Sequence, residues 1–385
     1  MQIENSKVAI VHYWLVSMRG GEKVVEELCK VFPQADLFTL VCKPERLSET
    51  IRSKKITTSF LQRFPKATTL YQNFLPLMPL AIEQFDLSEY DLVISSDTNV
   101  AKGVLTSPGT LHISYCHTPM RYAWDMYHHY LKASGLGKLK RLAMMLVMNR
   151  LRVWDVAASN RVDSFIANSQ YVRDRIRKHY RRESVVIYPP VDVEGFQPGG
   201  EVGDFFLVLG QLIPYKRIDI AVEAFNRNGR KLIIIGEGSE TKKLKSIAKE
   251  NITFLGHQKF EVIVDHYRRC RALIFPGEED FGITPLEAQA SGRPVLAFGK
   301  GGAKETVIQG KTGLFFEQQT SESLQASIDQ FEHGEHAITS DQCVQNAARF
   351  SSLRFREQIH QFVESAQAEH HARFPSLECG IKEKV

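Results

Sequence analysis

The sequence predicts an α/β protein made of two doubly wound, Rossmann-like domains, and three observations predict it. Short apolar, β-branched runs alternate with segments of helical period along most of the chain. A Pro/Gly-rich break, Pro189-Pro190 followed by "GFQPGGEVGD" (195–204), interrupts that alternation near the middle. The length, 385 residues, exceeds one ordinary domain and suits two. The break sets the boundary, giving domains 1–190 and 191–340. A helical stretch at about 341–372 is long enough to return to the first domain.

The elements follow in order. "VAIVHY" (8–13) is a continuous apolar run of the kind buried on both faces of a parallel sheet. Arg19-Gly20-Gly21 reads as a turn, and "EKVVEELCKVF" (22–32) carries apolar residues at helical spacing. Strand, glycine turn and helix form the opening unit of an open α/β sheet. Further strands are expected at "DLVISS" (91–96), "LHISYC" (111–116), "SFIANS" (164–169) and "VVIYPP" (185–190). The second half alternates more cleanly. "FFLVLG" (205–210), "KLIIIG" (231–236), "ITFLG" (252–256), "ALIFP" (272–276) and "PVLAF" (294–298) each precede a helical pattern.

Composition excludes several classes. Hydrophobic residues make up 43% and charged residues 24%, as in ordinary soluble domains with their own cores. A net charge of +5 is too weak for a dedicated nucleic-acid binder, but it suits phosphorylated ligands or an anionic surface. Cys29, Cys42, Cys116, Cys270, Cys343 and Cys379 form no C-x-x-C pair, so free thiols in a reducing compartment are expected. No apolar run reaches membrane-spanning length and no secretory leader opens the chain. A cytoplasmic protein is expected, resting on the inner face of the plasma membrane if "GKLKRLAMMLVMNRLRVW" (137–154) binds there. That segment is basic and apolar at helical spacing. It reads equally as an interfacial helix and as a core helix with a solvated basic face.

The richest stretch is "FPGEEDFGITPLEAQASGRPVLAF" (275–298). A strand ends near Pro276, and Thr284-Pro285 reads as a helix start, with Thr284 as N-cap and Glu287 in the first turn. Ligands of open α/β sheets bind at the carboxyl ends of the strands. The amides of Phe281, Gly282 and Ile283 beside a helix N-terminus suit a diphosphate, and Gly282 allows close approach. Glu287 can accept hydrogen bonds from a ribose diol, and Glu279 from sugar hydroxyls. Lys216 and Arg217 follow Pro214-Tyr215 just after a strand, where two cations can neutralise a departing diphosphate. No Asp-x-Asp motif occurs, and His128-His129 lacks a third ligand, so no metal site is expected.

These segments resemble the family-4 retaining glycosyltransferases. The likeness rests on "EDFGITPLE" with "AQASGRPVLAF", "GQLIPYKRIDIAVEAF" (210–225), "IGEGSE" (235–240), "FLGH" (254–257), "GGEKVVEEL", "CHTPMRYAWD" (116–125) and "IANSQYVRDRI" (166–176). It covers roughly residues 7–350. It implies the GT-B architecture, two facing Rossmann-like domains with a cleft between them, and a nucleotide sugar held mainly by the second. It implies that Lys216 stabilises the leaving diphosphate, that His117 lies near the donor sugar, and that Gly20 and Gly21 form a loop toward the diphosphate. Gln211 stands where many members have arginine, which shifts weight to Lys216 and Arg217. Arg121, Tyr122 and Trp124 either line the acceptor side or serve packing.

The "YCHTPMRYAWDMYHHY" segment is similar to bacterial mannosyltransferases of O-antigen and capsule assembly. It implies GDP-mannose as donor and a polyprenyl-diphosphate-linked glycan as acceptor, with no metal cofactor. A UDP-sugar donor, a nucleotide-sugar epimerase on the same fold and a non-catalytic sugar-nucleotide binder stay open as alternatives.

Overall fold

The five residues of β1 (Val8–His12) are all buried, and this is why the strand lies inside a sheet covered on both faces. It pairs in parallel with β2 (Asp36–Thr39) on one side and β4 (Leu92–Asp97) on the other. With β3 (Ile56–Thr58), β5 (Leu111–Cys116), β6 (Ser164–Ala167) and β7 (Ser184–Val186) it completes a seven-stranded sheet of order β3-β2-β1-β4-β5-β6-β7. The second sheet has six strands in the order β10-β9-β8-β11-β12-β13. They are β8 (Phe206–Leu209), β9 (Leu232–Ile235), β10 (Ile252–Gly256), β11 (Leu273–Phe275), β12 (Val295–Phe298) and β13 (Gly313–Phe316). Every strand pair in both sheets is parallel.

The computed structural model describes residues 6–133, 137–334 and 338–374. The chain divides into a first unit, 1–189 with 355–385, and a second unit, 190–354. In the first, the Gly20–Val31 helix packs Val24, Val25 and Leu28 onto Ile10, Ile94 and Ile113 of the sheet. In the second, the Ile218–Asn228 helix packs Ile220, Ala221 and Phe225 on Phe206, Val208 and Ile234.

The structure changes three sequence expectations. The stretch expected as one helix at 341–372 is two, Ser340–Ala348 and Ser352–Arg373, separated at 349–351. The first packs against the Ile283–Ala290 helix of the second unit. The other inserts Phe355, Ile359 and Val363 into the first unit's core. Three strands escaped the sequence reading: "DLFT", "ITT" and "GLFF" mix polar residues or glycine into a short run and so form no continuous apolar stretch. The Lys138–Ser159 helix fits neither single reading of its sequence. Its carboxyl half is core, burying Met148, Leu151, Asp155 and Ala158, while Leu139, Leu142 and Leu146 in its amino half are exposed at 81%, 52% and 61%. Among the described residues no helix is long and apolar enough to cross a membrane.

Candidate active site

Both sheets reverse their strand order at one place, between β1 and β4 in the first and between β8 and β11 in the second. At such a point the connections leave to opposite faces, and the chain opens a crevice at the strands' carboxyl ends. Each unit gathers its polar residues there.

In the second unit, Lys216 follows β8 in the short turn Pro214–Lys216, and Glu279 follows β11. Lys216 Nζ lies 2.9 Å from Glu279 Oε1, and both side chains are largely buried. Burial opposes the charge on Lys216, but the Glu279 carboxylate and its hydrogen bond outweigh it, so the ammonium titrates above its ordinary value. The cation is therefore fixed. Arg217 is the residue after that turn, with φ 50°, and starts the next helix. Its guanidinium is held by the Asp219 carboxylate at 3.0–3.2 Å and by Gln319 at 3.4 Å. Its charge is matched by Asp219, as that of Lys216 is by Glu279. Gln211 is exposed.

The loop after β11 is folded tightly against residues 299–302. The amide of Gly302 donates to the Glu279 carbonyl at 2.9 Å. A Cβ on Gly302 would stand 2.3 Å from Phe281 Cα, so only glycine admits this approach. Phe281 is buried against Phe350, 5.7 Å between ring centres. Gly282, at φ 90°, is the N-cap of the Ile283–Ala290 helix. This corrects the expectation for Thr284: the chain needs its left-handed residue one step before Ile283, so Thr284 is the second helical residue and Pro285 the third. Both Ile283 and Thr284 are half-buried. Glu287 consequently falls in the second turn, not the first. It is buried at 8% exposure and accepts a hydrogen bond from the Tyr267 hydroxyl at 3.0 Å. Burial, then the neighbouring Glu287 charge, holds the Tyr267 phenol protonated far above its usual range. Tyr267 was not legible, because its hydroxyl reaches Glu287 only through tertiary packing.

In the first unit, His12 ends β1, Ser96 lies near the end of β4, and His117 follows β5. Ser96 joins the two imidazoles. His12 Nδ1 lies 3.1 Å from both the Ser96 carbonyl and its hydroxyl, and His117 Nε2 lies 2.8 Å from that hydroxyl. Burial, reinforced by His117, lowers the pKa of His12 to about 3. Burial also lowers that of His117 to about 4, against the raising effect of Asp97. Both rings are neutral near pH 7. His12 went unnoticed in the sequence, although it is the one polar residue of the "VAIVH" strand and stands at its carboxyl end.

Gly20 and Gly21 are not a loop. They are the first two residues of the Gly20–Val31 helix, whose N-cap is Arg19, and the Arg19 amide donates to Glu22 at 3.1 Å. The acid three residues after the cap secures the helix start, so the glycines are drawn into its first turn. A Cβ on Gly21 would lie 3.0 Å from the Tyr13 hydroxyl and 3.3 Å from His12 Cε1. Absence of a side chain here lets the helix end approach the end of β1.

Tyr122 and Trp124 are tied into the protein. The Tyr122 hydroxyl donates to Asn99, and Trp124 Nε1 donates to Asp155 at 2.8 Å while its ring stacks on His179. Asp155 also accepts from the Tyr180 hydroxyl at 3.0 Å. Behind them lies a fully buried cation, Lys102, 3.0 Å from Asp97 and 2.5 Å from Asp155. These contacts favour the packing role for the two aromatic rings. Arg121 opens the same turn half-buried, its carbonyl accepting from the Met126 amide. Among the described residues no cluster of three or more His, Cys, Asp or Glu is placed to hold a metal ion.

Comparison with known proteins agrees with the two parallel-sheet units. Residues 200–350 match the family described as glycosyl transferases group 1, and residues 18–194 match glycosyltransferase family 4. HepE of Anabaena, solved with UDP and glucose, superposes with a TM-score of 0.66 at 17% identity, over 94% of this chain and 100% of that one. The chain has the GT-B fold of the group 1 and family 4 glycosyltransferases. Sucrose-phosphate synthase of Thermosynechococcus elongatus shares this GT-B fold, with a TM-score of 0.70 at 16% identity over 94% of this chain and 100% of that one. In sequence, the chain is 30% identical over 176 residues to an uncharacterised glycosyltransferase of Methanocaldococcus jannaschii, covering 44% of this chain and 50% of that protein. It is 28% identical over 183 residues to the O-antigen chain mannosyltransferase RfbU of Salmonella typhimurium, covering 44% and 51%. The matches span about half the length of these curated relatives.

Proposed function

We propose that the chain is a retaining glycosyltransferase that moves a hexose from a nucleoside diphosphate sugar to a hydroxyl of a lipid-linked glycan, with GDP-mannose as the donor. One observation carries this reading: the Lys216–Glu279 pair stands where β8 and β11 part, inside the segment that matches the group 1 glycosyltransferases. Lys216, its charge fixed by Glu279, takes the oxygens of the departing diphosphate as the anomeric bond breaks. Glu279 keeps its other oxygen for hydroxyls of the sugar. Glu287, oriented by Tyr267, receives the ribose diol. The family resemblance gives the neutral His117 the role of a hydrogen-bond partner of the sugar, and the leaving phosphate takes the acceptor's proton. The cations replace a divalent metal, so chelation with EDTA leaves the rate unchanged. A loss restored by manganese contradicts that part.

Mannose is proposed because the RfbU likeness joins the "YCHTPMRYAWD" segment in pointing to it. A UDP-sugar is the second reading, favoured by the HepE likeness, since that protein was solved with UDP. A thermal-shift screen of GDP-, UDP-, ADP- and dTDP-sugars separates the two, because a ligand that binds only the folded state raises the melting temperature. The expected result is a shift with GDP-mannose alone. A shift confined to UDP-sugars replaces mannose. No shift with any of them, together with no product, refutes the glycosyltransferase reading.

A lipid-linked acceptor would bring the protein to a membrane surface. The amino half of the Lys138–Ser159 helix suits that position, with exposed Leu139, Leu142 and Leu146 among Lys138, Lys140 and Arg141. Sedimentation with phosphatidylglycerol vesicles, lost in Leu142→Glu/Leu146→Glu, is the expected outcome. Equal sedimentation of both proteins contradicts it.

A further inference from the structure

The hydrogen-bond chain His12–Ser96–His117 allows one arrangement of protons. The carbonyl of Ser96 can only accept, and His12 Nδ1 lies 3.1 Å from it, so Nδ1 carries the ring hydrogen of neutral His12. The opposite tautomer would set a lone pair against that carbonyl. It would also bury an N–H at Nε2, which has no partner. An orphaned buried donor is rarer in proteins than an orphaned acceptor. The Nδ1 hydrogen of His12 thus serves the Ser96 carbonyl and hydroxyl oxygens together, both at 3.1 Å. Nδ1 therefore has no lone pair for the Ser96 hydroxyl proton. That proton goes to the remaining neighbour, His117 Nε2, at 2.8 Å.

We propose that His12 and Ser96 are positioning residues that lock His117 in the Nδ1-protonated tautomer, so that His117 offers its ligand a hydrogen-bond donor and never an acceptor. Resting on the reading that His117 meets the donor sugar, this gives the contact a direction. The Nδ1–H donates to an oxygen lone pair of the sugar, and the ring takes no proton from it. A histidine of the other tautomer would present an acceptor at the same place and repel that lone pair. His12 does not itself reach the ligand, since it is fully buried.

Histidine-labelled protein at pH 7 tests this without any substrate, through long-range proton–nitrogen correlation spectra that separate protonated from unprotonated ring nitrogens. Comparison with His117→Asn assigns the His117 signals. The expected spectrum shows His117 protonated at Nδ1 and bare at Nε2. Ser96→Ala removes the hydroxyl that keeps Nε2 bare and leaves room for a water to accept from it, so the His117 signals should move from the Nδ1-protonated pattern to a mixture of tautomers, whereas Ser96→Thr should keep the wild-type pattern. His12→Asn, whose amide can still donate to the Ser96 carbonyl, should keep it too. With the nucleotide sugar that supports transfer, Ser96→Ala should lower kcat by roughly twofold to tenfold, the range for weakening one hydrogen bond between neutral groups. Its KM should change little, and Ser96→Thr should recover the rate. An Nε2-protonated His117 in the wild type, or an unchanged spectrum in Ser96→Ala, overturns the tautomer lock. A spectrum as expected with no transfer from any nucleotide sugar leaves the lock standing and removes the proposed activity instead.

Discussion

Replacing Lys102 with methionine keeps the side chain's length and deletes its charge, and the surroundings fix how much that costs. Lys102 has no exposed surface, and its ammonium bridges Asp97 and Asp155, themselves 1% and 0% exposed. Without the cation two carboxylates share one dry pocket. Their oxygens keep some donors: Asp97 Oδ1 holds the amides of Asn99 at 3.0 Å and Ala101 at 2.7 Å, and Asp155 Oδ2 holds Trp124 and Tyr180. Removing one partner of a buried ion pair costs about 3–5 kcal/mol. The retained donors place Lys102→Met near the lower figure. Urea unfolding followed by tryptophan fluorescence reads the first unit alone, because Trp14, Trp124 and Trp154 all belong to it. The cycle closes with Asp155→Asn. Adding that change to Lys102→Met removes one of the two stranded charges while an amide oxygen still accepts from Trp124 and Tyr180. The double variant should therefore be more stable than Lys102→Met, a coupling well above the roughly 0.5 kcal/mol expected for independent sites. A loss under about 1 kcal/mol for Lys102→Met, or simple additivity in the double variant, refutes the idea that this cation neutralises both acids.

Three further outcomes follow from the same coordinates. His12, His112 and His117 are buried neutral, lowered to about 3, 4 and 4. Their unfolded forms take up protons below about pH 6.5, so stability present at neutral pH is lost as pH falls toward the folded values. Each contributes up to about 1.4 kcal/mol per pH unit in that window. The tryptophan-detected melting temperature should drop steeply between pH 6.5 and 4.5, and a flat profile counts against the buried neutral rings. Lys216→Ala should cut turnover by about a hundredfold or more, as for loss of a preorganised charge at a leaving group, with little change in acceptor KM. Normal turnover removes Lys216 from the chemistry. Tyr267→Phe should weaken nucleotide binding by roughly tenfold, for a hydrogen bond to a charged group worth about 1.5 kcal/mol, and unchanged GDP and UDP affinities would show that Tyr267 does not orient Glu287.

The sequence carried the architecture because buried parallel strands advertise themselves. "VAIVH", "LHISYC" and "FLVL" are largely apolar runs ended by histidine or glycine. β2, β3 and β13 carried no such mark, because "DLFT", "ITT" and "GLFF" each dilute a short run with polar residues or glycine. The side chains now grouped around Lys216 and Glu279 were found through motif spacing, since a loop at a strand's carboxyl end is a local feature. Tertiary partners were not local. Nothing near Lys102 in the chain announces Asp155, and nothing near Glu287 announces Tyr267. The helix starts were misjudged for a related reason. Gly20 and Gly282 look like turn residues, yet Glu22 pulls the first into a helix and a φ of 90° makes the second a cap.

The Ser352–Arg373 helix gives translation an unusual order of events. Phe355, Ile359, Val363 and Ala366 complete a core begun by Val8 and Ile10, and Arg356 reaches back to Glu27. A ribosome must therefore release all of the second unit before the first can close. At about 5–20 residues per second that delay is on the order of ten seconds or more. The portion made first waits with an open hydrophobic seam, and a nascent chain stopped near Arg354 would expose it permanently.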